Sequence, residues 1–107
     1  MISEASINEA VERLVRGFGP ERIILFGSQA RRTGDERSDV DLLVICRIQD
    51  NRRKLMVEMD RALVGLGFAR DIMVLTPEEF ARDRNIPGIV ARPAWQEGKL
   101  LYERSQS

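Results

Sequence analysis

Gly27-Ser28 and Asp39-Val40-Asp41 are the residues of this chain whose types and spacing could do chemistry. Gly27 and Ser28 close an apolar run and open a polar turn. Ten residues then intervene before the two aspartates at the head of a second apolar run, Leu42-Leu43-Val44. Residues two apart on a strand point to the same face, so the aspartates are expected side by side. Neighbouring carboxylates repel, and each raises the other's pKa unless a cation lies between them. Mg²⁺ takes a few carboxylate oxygens and completes its shell with water and substrate phosphate, so the pair suits a metal arriving with a nucleoside triphosphate. A glycine and serine opening a helix offer backbone N–H groups and a hydroxyl, an arrangement that binds phosphate. The plainer alternative is that Ser28 only caps that helix.

The elements that must position these residues follow from periodicity and punctuation. Ser6-Ile7-Asn8-Glu9 has the form of a capping box, and Ile7, Val11, Leu14, Val15 and Phe18 recur at helical spacing, which predicts a helix over residues 7–16. Gly17-Phe18-Gly19-Pro20 breaks it. Ile23-Ile24-Leu25-Phe26 is a continuous apolar run, as in a strand covered on both faces, and it delivers the chain to Gly27. A short helix is expected over residues 28–32, with Gly34 ending it. The second strand carries Val40, Leu42 and Val44 on one face and Asp39, Asp41, Leu43 and Ile45 on the other.

Asp50 or Asn51 is placed to cap a further helix, whose apolar stripe is Leu55, Met59, Ala62, Leu63 and Leu66 and which Gly65 and Gly67 can terminate. Arg52, Arg53 and Lys54 in its first turn oppose the helix dipole and read as a solvated surface. A third strand over residues 68–75 carries Asp71, Met73 and Leu75 on one face. Asp71 reads equally as a salt-bridge partner of Arg70 or as a third carboxylate near Asp39 and Asp41. Thr76-Pro77-Glu78-Glu79 starts a helix, with Thr as N-cap, Pro at the first position and two acids in the first turn. Another helix is expected over residues 89–97, and Leu100-Leu101-Tyr102 forms a short last strand. Strands alternating with helices predict a layered α/β (α+β) domain: a small mixed sheet of about four strands flanked by helices, with residues 1–107 as one domain.

Composition narrows the chemistry. The 107 residues contain no histidine, which removes His-based acid/base catalysis, Ser-His-Asp triads and His-ligated zinc. Basic and acidic residues balance at 17 each, so no overall field draws the chain to nucleic acid, and such a substrate is disfavoured. Cys46, the one cysteine, falls in an apolar strand and reads as a small buried hydrophobe. No apolar run is long enough to span a bilayer and no signal-like segment opens the chain, so a cytoplasmic location is expected. At this length an acceptor-binding domain has no room, and the other half of any transfer reaction is expected on a partner protein.

Gly27-Ser28, ten residues, then Asp39-x-Asp41 resembles the signature of the DNA polymerase β nucleotidyltransferase superfamily. Within it the chain resembles the minimal nucleotidyltransferases (MNT) that are paired with HEPN-domain toxins. Leu25 to Arg31, Ser38 to Val44, Asp71-Ile72, Thr76 to Phe80 and Glu97 to Glu103 carry the likeness. The resemblance implies the nucleotidyltransferase fold, with Gly27 and Ser28 on the β- and γ-phosphates, Arg31 contacting nucleotide, and Asp39 and Asp41 holding Mg²⁺. Asp71 would complete the metal site or accept a hydroxyl proton. It also implies AMP transfer from ATP to a tyrosine hydroxyl of a HEPN toxin, the chain acting as antitoxin in a hetero-oligomer. One departure is Arg32-Thr33 after Arg31, where many members place glycine directly after the arginine. A catalytically silent module that occludes its partner is the alternative, and a small-molecule acceptor such as an aminoglycoside is a weaker one.

Overall fold

The computed structural model describes residues 3–27, 39–86 and 96–104. Helix α1 spans Glu4–Phe18. It begins earlier than the spacing of apolar residues suggests, because Ser3 rather than Ser6 is the cap: the Ser3 Oγ accepts from the Ser6 N–H at 3.2 Å. Ser6 and Glu9 lie within the helix, and Glu9 turns to Arg13, one turn on, at 3.1 Å instead of closing a capping box. Gly19, at φ 59°, supplies the left-handed residue that stops α1, and its N–H returns to the Val15 carbonyl.

Four strands form one sheet: β1 (Arg22–Phe26), β2 (Val40–Ile45), β3 (Arg70–Leu75) and β4 (Lys99–Glu103), in the spatial order β3-β2-β1-β4. β1 pairs antiparallel with β2 and with β4, while β2 and β3 are parallel, so the sheet is mixed as expected. The parallel pair requires a crossover, which helix α2 (Arg52–Ala62) provides. Asn51 caps α2, accepting from the Lys54 N–H at 2.7 Å. The helix ends before Gly65, with Leu63 as its C-cap, and Arg13 of α1 donates to the Ala62 and Val64 carbonyls at 3.2 and 3.0 Å. Those bonds satisfy carbonyls that a helix end leaves open.

The sheet has two unlike faces. On one, Ile23, Leu25, Val40, Leu42, Val44, Ile72 and Val74 pack with Ala10 and Leu14 of α1 and with Met59 and Leu63 at α2. The other is thinner: Ile24, Leu43 and Ile45 pack with Phe80 of α3 (Pro77–Asp83), and Phe26, Met73 and Leu75 join at their margin. β1 and β2 are thus covered on both sides, which is why their sequences run nearly continuously apolar. Each fully buried aliphatic side chain here contributes about 2–3 kcal/mol of transfer free energy. Cys46 lies in the first cluster, 5% exposed, and burial pushes its thiol up, as expected of a packing residue.

Helix α3 follows its sequence signals closely, with Thr76 and Glu79 forming a reciprocal capping box and Pro77 in the first turn. Arg52 corrects the reading of the basic run as plain surface. Its guanidinium donates to the Val74 carbonyl at 2.9 Å and to Glu79 at 2.7 Å, tying α2 to the end of β3 and the start of α3. Lys54 pairs with Asp50 at 3.1 Å. The short helix expected over residues 28–32, with Gly34, lies outside the described residues, as does most of the helix expected over 89–97. Among the described residues no helix is long and apolar enough to cross a membrane.

Candidate active site

Three strand ends meet on the thinner face of the sheet. Asp41 is the second residue of β2, and Asp71 is the second residue of β3 and its partner in the parallel register. Adjacent strands lie about 4.8 Å apart, and residues in register share a face, so the two carboxylates start from neighbouring positions. Asp39 is exposed just ahead of β2. On the other side of Asp41 the antiparallel register places Phe26, the last residue of β1, directly opposite. Gly27 follows, at φ 76°.

Gly27 is required there twice over. Its backbone is left-handed, a region that strains any residue with a Cβ. A Cβ at this position would also overlap the Asp41 Oδ2 and stand 3.2 Å from its Cγ. The Asp41 carboxylate therefore lies over the bare backbone at the end of β1. Among the described residues three other glycines have positive φ, Gly19, Gly65 and Gly67, and none has a neighbour that a Cβ would meet within 4 Å. Gly27 alone among these four combines the turn conformation with a close approach.

The charge environment follows from this placement. Burial is the largest influence raising the Asp41 pKa, and the nearby charges of Asp71 and then Asp39 push it in the same direction. A carboxylate that is both desolvated and faced by like charge resists ionising without a counter-ion. Arg70, the neighbour that could have neutralised Asp71, instead pairs with Asp60 at 2.8 Å and donates to the Asp60 carbonyl.

Among the described residues no three Asp, Glu, Cys or His side chains are drawn into a ready-made metal cage. The donor chemistry nevertheless fits a hard divalent ion of the Mg²⁺ type, which needs only one or two carboxylates and keeps its remaining positions for water and phosphate. Ser28 and Arg31 lie outside the described residues. Sequence reasoning did not single out Phe26: its place opposite Asp41 depends on the strand register, and only its position at the end of an apolar run hinted at it.

A cleft of about 610 Å³ opens elsewhere, between the α1–β1 turn and the start of α2, with Glu21, Cys46, Lys54 and Arg104 among its lining residues. It lies at the far end of β2 from the aspartates, five residues or roughly 17 Å along the strand, and takes no part in their site.

The family model described as "Polymerase beta, Nucleotidyltransferase" matches residues 8–107. No curated protein matches the chain. Among solved structures, a protein of Sulfolobus solfataricus described as a candidate nucleotidyltransferase is similar at 24% identity and a TM-score of 0.65, over 94% of this chain and 79% of that one. A toxin-antitoxin solved with AMP-PNP is similar at 24% identity and a TM-score of 0.60, over 91% of this chain and 73% of that one. At that identity the two structures speak for the fold.

Proposed function

Since the chain belongs to the polymerase beta nucleotidyltransferase family, we propose that it is a Mg²⁺-dependent protein adenylyltransferase of the minimal type, an antitoxin that transfers AMP from ATP to a tyrosine hydroxyl of a HEPN-domain toxin. The observation that carries the reading is Asp41, held between the bare backbone of Gly27 and the in-register Asp71. That arrangement sets a carboxylate whose burial and like-charged neighbours call for a counter-ion beside the glycine that follows β1. The partner follows from the resemblance in sequence, and the fold shared with a toxin-antitoxin is compatible with it.

In this reading Gly27 and Ser28 bind the β- and γ-phosphates, and Arg31 contacts the nucleotide. Asp39 and Asp41 hold the ion, with Asp71 as a third ligand or as the group that accepts the tyrosine proton. Mg²⁺, when bound with ATP, supplies positive charge where the triphosphate develops negative charge. A bond forms between the tyrosine oxygen and the α-phosphorus, the bond between the α-phosphorus and the bridging oxygen breaks, and pyrophosphate leaves. With no histidine in the chain, a carboxylate is the natural proton acceptor. The chain acts as one domain with the acceptor on its partner, within the cytoplasm.

Intact-mass analysis of the partner toxin after incubation with this protein, Mg²⁺ and each NTP tests the proposal. A gain of one or more AMP units with ATP alone, with loss of toxin activity, is the expected result. Inhibition without any mass gain would overturn the enzymatic reading in favour of occlusion.

A further inference from the structure

We propose that Phe26 is a positioning residue for Asp41, walling its carboxylate from water on the β1 side so that it stays aimed at the metal position. The inference rests on the reading of Asp41 as a metal ligand. Phe26 and Asp41 are direct partners across the antiparallel β1–β2 pair, and such partners have Cβ atoms about 4.5–5.5 Å apart on a common face. That face is fixed independently: Phe26 packs with Ile24, Leu43, Ile45 and Phe80, and Leu43 lies two residues beyond Asp41 on the same strand. The Phe26 ring therefore stands beside the carboxylate and is itself held by the cluster beneath it.

Asp41 is then bounded on three sides. Phe26 stands across β1, the Gly27 backbone lies against the Asp41 Oδ2, and Asp71 occupies the matching position on β3. Rotation toward β1 meets the ring, and rotation toward β3 meets a like charge. The remaining side is that of Asp39, which is exposed just ahead of β2. A dry neighbour also strengthens the carboxylate's attraction for a cation, because water that would solvate the carboxylate is kept out. Phe26 supplies no ligand atom, so its contribution lies in where the carboxylate points and how well it is solvated.

Binding of Mn²⁺ in the presence of AMP-PNP, followed by the electron paramagnetic resonance of free Mn²⁺, tests this without turnover. Five proteins are compared: the native chain, Phe26→Leu, Phe26→Met, Asp41→Asn, and Leu75→Ala as a control that thins the same cluster away from Asp41. Thermal melts of each define the temperature at which all are folded. Phe26→Leu is expected to weaken Mn²⁺ binding about tenfold, and Leu75→Ala to leave it unchanged while lowering the melting temperature. Phe26→Met, similar in volume to leucine but unbranched and longer in reach, is expected to recover part of the loss and serves if Phe26→Leu folds poorly. If both Phe26 variants bind Mn²⁺ as the native protein does while Asp41→Asn does not, the positioning role is overturned and the metal site stands. If Asp41→Asn binds Mn²⁺ normally, the metal-site reading itself fails.

Discussion

Replacing Gly27 by alanine separates what the close approach at the site does for stability from what it does for function. The substitution forces a Cβ into a left-handed position at φ 76°, which costs about 1–2 kcal/mol. The new methyl also overlaps the Asp41 Oδ2. That oxygen is the free end of a side chain, so a small shift of the Asp41 carboxylate away from Gly27 relieves the overlap at little further cost, and the fold should survive with a total loss of about 1–2 kcal/mol. The displaced carboxylate no longer points where the site needs it, and misplacement by about 1 Å can cost 10²-fold in rate. Gly67→Ala is the matched control: its φ is 78° but nothing lies within reach of a Cβ. It should lose similar stability and keep its activity. Urea denaturation gives the first quantity for both variants, and label transfer from α-labelled ATP to the partner gives the second. Gly27→Ala with native transfer rates, or Gly67→Ala losing as much activity as Gly27→Ala, would refute the reasoning.

Two further outcomes follow from charge. The Arg52 guanidinium, with the capping bond to Thr76, holds the Glu79 carboxyl down at about 2 against an ordinary 4.5. A carboxylate whose pKa is lowered by folding stabilises the fold above its unfolded pKa and loses that contribution as pH falls through the folded one. The Arg52–Glu79 clasp should therefore weaken between about pH 4.5 and 2. With the Arg52 side chain 41% exposed, solvent screening holds the loss to about 1 kcal/mol or less, and Glu79→Gln should flatten the stability profile in that window. Asp41 has the opposite sign, since folding raises its pKa and the unfolded chain ionises more readily. Without divalent metal, Asp41→Asn should stabilise the fold at neutral pH by no more than about 1 kcal/mol; a lower melting temperature would contradict the environment described for Asp41.

The sheet was legible in the sequence because its strands obey simple rules. Ile23 to Phe26 and Leu42 to Ile45 are too continuously apolar for one-sided strands, and the structure covers both faces of each. Thr76-Pro77-Glu78-Glu79 specified the start of α3 through local hydrogen bonds alone. The start of α1 was misplaced because Ser3 and Ser6 are equivalent caps by type, and only the backbone path selects Ser3. The pairing of Arg52 with Glu79 and Val74 was invisible, since it joins residues more than twenty apart in sequence whose meeting depends on the crossover. The same limit applied to the site. Spacing suggested that Asp39 and Asp41 share a face, but the register of Asp71 with Asp41, and of Phe26 across from it, emerges only when the strands are paired.

The central claim, that Asp39 and Asp41 hold the ion for AMP transfer, is tested most directly by the double variant Asp39→Asn, Asp41→Asn. Both side chains keep their size and lose their charge, so folding is preserved and metal binding is not. With α-labelled ATP, Mg²⁺ and the partner toxin, the native protein should label the partner and the double variant should not. Equal labelling by the two proteins would contradict the account.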